Sequence, residues 1–361
     1  METISAYSGW IGHRNIGDEA IYLAVQKLLP ELTLSDINHV DDRDVVLYGG
    51  GTIFPSAVSR SSTYDDEAFT IAIGVGVRNP EFWNQKFSPF DFGYYTGNAL
   101  NSDRLSTAVF DDVLYGVTKF FDSFWTYNKT LTWRDFEAVR DADVDFFGVR
   151  GPISSELLSE HGIEHEVVGD TALALEPTSY DAVDKPRIAV SIRNNTYGWA
   201  PNEYHETVIE FCRRHADDYE FVFLPFWPPD IEVCLDAARR VPNARFKDYC
   251  SCVDVQGVID EISRCDLLIG DKLHANVLSA CSYTPFLSLE YRPKNRDFAE
   301  SVGMGAFNIR TDEVTVDWLE DRLARVTAAD DLSADLQTEV DDYRESLRDF
   351  ARRVADSVRR L

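Results

Sequence analysis

Ala20, Ile21, Ala24, Val25 and Leu28 recur at three- and four-residue spacing and Pro30 follows them, which predicts an amphipathic helix with a defined stop. A short strand is expected over 3–7, and the glycine-bearing stretch 9–19 joins it to that helix. Two runs, 44–48 and 69–77, are apolar without alternation, and the first ends in Gly49-Gly50-Gly51. Unbroken apolar strands suit a parallel sheet covered on both faces. The stretch from about 80 to 129 breaks the rhythm. It is aromatic and irregular at first, then amphipathic over 105–125, and reads as an insertion or lid. Strand and helix resume with 145–150 and with a helix over 152–161, opened by Pro152 and stopped by Gly162, before a strand near 167–168.

Residues 176–186 carry two prolines and little apolar content, the best linker in the chain. Beyond them, strands are predicted over 187–192, 221–224 and 267–269, with helices near 204–215, 230–240, 253–264 and 274–281. Such alternation implies right-handed βαβ units and open parallel sheets whose ligands sit at the carboxyl ends of strands. The predicted organisation is α/β, with an N-terminal Rossmann-like domain over 1–176, a C-terminal one over 186–330 and an amphipathic helix over 331–361. In that helix Leu332, Leu336, Val340, Tyr343, Leu347, Phe350, Val354, Val358 and Leu361 form one apolar stripe. Docking on the domains is the simpler reading of the stripe; a membrane-surface or oligomer helix is the other, given Arg344, Arg348, Arg352, Arg353, Arg359 and Arg360.

Charge changes the picture of partners. With 62 Asp and Glu against 35 Lys and Arg, the net charge is −27, while 44% hydrophobic residues mark a globular chain. Such a charge repels phosphate backbones, and no basic patch offsets it, so nucleic acid is not an expected partner. The cations comprise only 8 Lys beside 27 Arg, and an acidic, Lys-poor surface is what a protein of a salty, halophilic cytoplasm carries. No run is long enough to span a membrane and Met1 leads into no basic or apolar leader, so the expected location is cytoplasmic. All six Cys lie in the second half without zinc-site spacing, which predicts reduced thiols and no metal.

Candidate chemistry gathers at glycine-marked strand ends. Gly12 to Asp18 brings backbone amides and an uncapped helix N-terminus within reach of an anion, although Asp18 also suits the N-cap itself. Gly49-Gly50-Gly51-Thr52 fits neither the dinucleotide fingerprint nor the P-loop. Gly270-Asp271-Lys272-Leu273-His274 ends a strand and opens a helix, and Lys272 and Lys294 flank His274. Arg150 and Arg193 also follow strands, where basic side chains are placed to hold a carboxylate or phosphate. Together they point to a small, multiply charged anion.

These segments, in this order, resemble the polysaccharide pyruvyl transferase family. Asn15-Ile16-Gly17-Asp18-Glu19-Ala20 resembles its N-terminal Asn-x-Gly-Asp-Glu-Ala element, and the 47–54 segment its Gly-Gly-Gly-Thr strand end. Phe147 to Pro152, with Leu157, Gly162 and Asp170, resembles its Val-Arg block, and 188–193 the strand opening its second domain. Asp266 to Pro285 with Glu290-Tyr291-Arg292-Pro293-Lys294 resembles its Arg-Leu-His and Tyr-x-x-Lys signature, with Lys272 where the family usually has Arg. Lys keeps the charge but loses the bidentate fork.

The resemblance implies two Rossmann-like domains of GT-B type facing a central cleft, the first on the acceptor side and the second on the donor side. It implies transfer of pyruvate from phosphoenolpyruvate, as co-substrate and without a cofactor, to a cell-surface or lipid-linked glycan, as in exopolysaccharide synthesis. Contact with the inner membrane face and self-association stay open. In that chemistry His274 is the general acid and Asp18 the base; Arg150, Arg193, Lys272 and Lys294 hold the donor; Asn15, Gly17, Gly50, Gly51 and Tyr291 line the substrate. Two other readings of the same architecture remain. One is a nucleotide-sugar glycosyltransferase with Glu290 gripping a donor ribose; the other is a non-catalytic anion- or glycan-binding relative. In the insertion, Trp83, Tyr94, Tyr95, Trp125 and Tyr127 are candidates for stacking on sugars or packing a lid.

Overall fold

The computed structural model describes residues 4–40, 43–55, 67–79, 82, 133–178, 185–194, 198–199, 203–329 and 331–361. Most of the expected insertion, with its amphipathic stretch over 105–125 and Trp83, Tyr94, Tyr95, Trp125 and Tyr127, lies outside them.

In the first half, β1 (Ser5–Ser8) passes through the glycine loop into α1 (Ile16–Leu28), followed by β2 (Leu34–Asp36), β3 (Val45–Gly49), β4 (Thr52–Phe54) and β5 (Phe69–Val77). Then come α2 (Trp133–Asp141), β6 (Phe146–Val149), α3 (Pro152–Glu160) and β7 (Glu166–Val167). The strands form one parallel sheet in the order β2-β1-β3-β5-β6-β7, with β4 paired to β5. Both faces are covered, which is why β3 and β5 read as continuous apolar runs.

The second half runs β8 (Arg187–Ser191), α4 (Tyr204–Arg214), β9 (Glu220–Phe223), α5 (Ile231–Arg240), β10 (Arg245–Phe246), α6 (Val255–Ile262), β11 (Leu267–Gly270) and α7 (Leu273–Cys281). It continues with β12 (Phe286–Glu290), α8 (Pro293–Ser301), β13 (Asn308–Arg310), α9 (Val316–Ala328) and α10 (Leu332–Val358). Its parallel sheet has the order β10-β9-β8-β11-β12-β13, two halves wound outward from β8 and β11. The sequence pattern predicts no strand after β11. It passes over β12 because Ser288 interrupts its apolar run, yet Ser288 is fully buried and its hydroxyl accepts from Asn276 Nδ2 at 3.1 Å. It passes over β13 because three half-exposed residues leave no pattern to read.

One apolar core joins the two halves: Ile16, Ala20 and Ala24 of α1 share a cluster with Val258 of α6 and Leu278 of α7. The terminal helix α10 docks on that core through Leu336, Val340, Leu347, Phe350 and Val354, while Leu361 is left exposed. Arg344 departs from expectation, for it belongs to the interior, not the polar face. Its Nε donates to Leu173 O at 2.8 Å and its Nη2 to Leu175 O at 2.8 Å and Cys281 O at 2.9 Å. It thereby satisfies carbonyls left over where elements of both halves end. No helix among the described residues is long and apolar enough to cross a membrane.

Candidate active site

In each sheet the winding reverses once, between β1 and β3 in the first and between β8 and β11 in the second. The chain leaving these strands at their carboxyl ends diverges to opposite faces, which opens a crevice there. Into the seam between the two crevices come Asp18 from the first turn of α1, Arg150 from the end of β6 and Asp170 after β7. The second half supplies Arg193 after β8, Asp230 after β9, Asp271, Lys272 and His274 after β11, and Tyr291, Arg292 and Lys294 after β12. A cleft is lined from one side by Thr52, Asn79 and Ser154 and from the other by Arg292, Lys294 and Asp297.

The start of α1 is already satisfied. Asn15, not Asp18, is its N-cap, accepting from Gly17 N–H at 3.2 Å, while Ile16 N–H donates across the seam to Phe226 O at 2.9 Å. Two of the expected uncapped amides, those of Ile16 and Gly17, are therefore taken, and Asn15, one residue before the helix with an extended backbone, holds the cap position that Asp18, inside the first turn, does not. Gly50 and Gly51 adopt φ of +58° and +71°, which turns the chain sharply after β3. A Cβ on Gly50 would strike Ile21, so Gly50 serves the packing of α1 on the sheet.

Arg150 does not reach openly into the cleft. Its guanidinium is fully buried because Gly76 leaves room for it, a Cβ there falling 1.9 Å from Nη2. Nη1 pairs with Asp170 Oδ2 at 3.2 Å and Nη2 with Thr52 Oγ1 at 3.4 Å, while Nε has no protein partner. Lys272 Nζ lies 2.8 Å from buried Asp230, and Trp227 lies beneath it at 5.3 Å. Asp271 accepts from Arg193 N–H at 2.9 Å and from the Tyr204 hydroxyl. Arg193 in turn lies 4.1 Å over the Tyr291 ring. The cations thus alternate with buried carboxylates: Asp170 and Asp271 stand in motifs named from the sequence but without a role assigned to them, and Asp230 stands outside those motifs. Of the three, only Asp271 directly follows a buried strand, so pattern alone does not mark them.

The electrostatics follow from this crowding. Burial, together with Lys294, Arg150 and Lys272, holds the His274 imidazole well below its ordinary range, so the protein's own groups keep it neutral. The expectation of an imidazole protonated near neutrality is not met by these groups alone. Burial raises Asp18 to about 6 against the pull of Lys294 and Lys272. Burial also pushes the Tyr291 phenol up, but Lys294, Arg193 and Arg292 outweigh it and bring it down to about 7. Burial lowers Lys294 in turn, with Tyr291 opposing it.

The family model for polysaccharide pyruvyl transferase matches residues 15–293, from the Asn15 cap to the start of α8. The chain belongs to this family. Within a polysaccharide pyruvyl transferase, the motifs of both halves meet at one seam, and Gly17 and His274 are in contact across it. Among solved structures, UDP-GlcNAc 2-epimerase from Neisseria meningitidis, bound to UDP-GlcNAc, is similar over 100% of both chains at 10% identity, with a TM-score of 0.52. That likeness is one of fold, two Rossmann-like domains of GT-B type. The spinosyn rhamnosyltransferase SpnG aligns over 98% of this chain and 100% of its own at 12% identity and a TM-score of 0.49. No curated protein matches the chain. Glu290, the candidate ribose ligand of a nucleotide-sugar enzyme, is buried and engaged on both oxygens, by Trp199 Nε1 at 3.0 Å and Asn308 Nδ2 at 2.8 Å.

Proposed function

We propose that this pyruvyl transferase uses phosphoenolpyruvate as donor and joins its pyruvyl carbon to two hydroxyls of a sugar in a surface or lipid-linked glycan. The observation that carries the reading is the convergence of Arg150, Lys272 and Lys294, from both halves, on the single imidazole of His274. A compact donor bearing carboxylate and phosphate suits that cluster, and the unpartnered Arg150 Nε is a buried donor that calls for an acceptor. Lys294 and Arg292, which line the cleft, are placed to meet the anion directly. Arg150 acts from beneath, through its charge.

His274 gives a proton to the enol methylene, which becomes a methyl group and leaves the adjacent carbon electrophilic. A sugar hydroxyl adds to that carbon and passes its proton to Asp18. The bond to phosphate breaks with its electron pair going to the phosphate, which takes the proton held by Asp18, and a second hydroxyl closes the ketal, passing its proton to His274. The donor also makes His274 fit for its part: negative charge among the same cations offsets their field and raises the imidazole toward its ordinary range. Asp170 Oδ2 lies 3.9 Å from His274 Nε2, too far for a hydrogen bond. The acidic, Lys-poor surface fits synthesis in a salty cytoplasm, with a lipid-linked acceptor presented at the inner membrane face.

Thermal shift separates donors, since the true one stabilises the fold by mass action. Phosphoenolpyruvate should raise Tm and uridine nucleotide sugars should not. Phosphate release that needs both phosphoenolpyruvate and a glycan supports transfer. Stabilisation by the nucleotides alone overturns the donor assignment, and donor binding without release overturns catalysis.

A further inference from the structure

The loop between β1 and α1 carries Trp10, the one aromatic among the exposed large apolar side chains of the described residues, with 45% of its surface open to solvent. It is not a stray side chain. His13, also exposed, stacks on the indole with ring centres 4.6 Å apart. Trp227 of the second half meets the same indole at 5.4 Å, and Trp227 in turn underlies the Lys272 ammonium. Aromatic surface therefore runs unbroken from the cation cluster out to solvent, built from both halves of the molecule.

The loop is also held in shape. Gly12 N–H donates to Glu19 Oε1 at 2.8 Å, and Gly12 and Arg14 take φ of +78° and +56°, so two left-handed residues bracket His13. Gly9 lets the chain pass directly over Tyr7, where a Cβ would fall 2.3 Å from the ring. A fixed backbone presenting an open aromatic surface is pre-organised for a flat, apolar ligand face.

We infer that the Trp10–His13–Trp227 surface is a carbohydrate-stacking subsite that seats a pyranose ring of the acceptor beside the donor cations. A pyranose has one face of C–H bonds, slightly positive and apolar, which matches the negative face of an aromatic ring, and a polar edge that stays in water. With His13 stacked on the indole, the open ring face of the stack offers the area of about one sugar ring. A protein partner needs on the order of 1,000 Å² of contact, far more than these side chains present. A nucleic-acid ligand is disfavoured by the chain's net charge of −27. The inference rests on the transferase reading above and names how its acceptor side grips a sugar.

The test uses methyl pyranosides of galactose, glucose, mannose and N-acetylglucosamine, followed by saturation-transfer NMR on the full chain. At least one should bind, with its C–H face nearest the protein. Trp10→Ala should weaken that binding about tenfold, the scale of one lost aromatic contact. Trp10→Phe should restore most of it, and the Tm increase given by phosphoenolpyruvate should be the same in all three proteins. Absence of pyranoside binding to the parent chain, or equal binding by Trp10→Ala, overturns the subsite. Pyranoside binding that depends on Trp10, without any effect of phosphoenolpyruvate, keeps the subsite and removes the donor reading instead.

Discussion

Gly17 stands so close to His274 that a Cβ on it would lie 1.9 Å from the imidazole Nδ1. The first half of the molecule thus sets the position of the principal candidate of the second. The backbone at Gly17 is helical, so alanine is tolerated there as a conformation and is the better helix former by about 1 kcal/mol. Gly17→Ala should accordingly fold, with Tm within a few degrees of the parent, while its methyl group drives the imidazole aside. A displacement of about 1 Å at a reacting group costs on the order of a hundredfold in rate, and kcat for pyruvyl transfer should fall by that much. Full activity in Gly17→Ala would show that His274 has no fixed duty.

A second link across the seam concerns stability. α3 begins at Gly151 without a side-chain cap of its own. Asp297 of α8 supplies one: its Oδ1 accepts from Ile153 N–H at 2.9 Å and Ser154 N–H at 3.3 Å, and its Oδ2 from Ser154 Oγ at 2.6 Å. Asp297→Ala strips the cap and leaves buried amides unpaired, which should cost about 2 kcal/mol. Ser154→Ala removes the hydroxyl bond to Asp297 and the bond its Oγ accepts from Val77 N–H at 3.1 Å, but leaves both capped amides of α3 paired, and should cost less. Urea midpoints give the order; equal losses would mean that the carboxylate does not cap the helix.

What the sequence makes legible is what lies within one element. The apolar runs of β3, β5 and β8 and the stripe of α10 declare themselves because their neighbours in space are neighbours in pattern. Glycines after strands mark the cleft for the same reason. Asp297 and Arg344 are opaque, since each satisfies backbone groups more than a hundred residues away. Asp170, Asp230 and Asp271 are opaque as well: an aspartate in a chain with 62 acidic residues gives no hint of its burial. The aromatic surface of Trp10 exists only once Trp227 arrives from the other half.

Tyr291 offers a spectroscopic handle. Its phenol, brought down to about 7 by Lys294, Arg193 and Arg292 against burial, ionises well before an ordinary tyrosine. A folded-state value below the unfolded one contributes stability that is present above the unfolded value and fades as pH falls toward 7. Tyr291→Phe should therefore lose more stability relative to the parent at pH 9 than at pH 6. The difference in ultraviolet tyrosinate absorption between the two proteins should titrate near 7, and phosphoenolpyruvate should move it upward by drawing on the same cations. A difference titrating near 10 would mean that the cations are turned away from the phenol.

Asp18 carries the opposite sign. Burial raises its carboxyl to about 6, and Lys294 and Lys272 only partly offset this. The folded state thus holds the proton more tightly than the unfolded chain does, and stability falls as pH rises from about 4 through about 6. Asp18→Asn removes that penalty, so the variant should be more stable than the parent at pH 7.5, with the gap closing by pH 4. Transfer should nevertheless fall by a factor of about 100 or more, because the amide takes no proton from the attacking hydroxyl. The penalty is then tolerated for the sake of the base, a stability–activity exchange confined to one side chain. Thermal unfolding across pH, set beside phosphate release at pH 7.5, decides the matter. A variant that loses stability at pH 7.5 would show Asp18 to be a paired structural anion, and one that keeps its turnover would place the base elsewhere in the cleft.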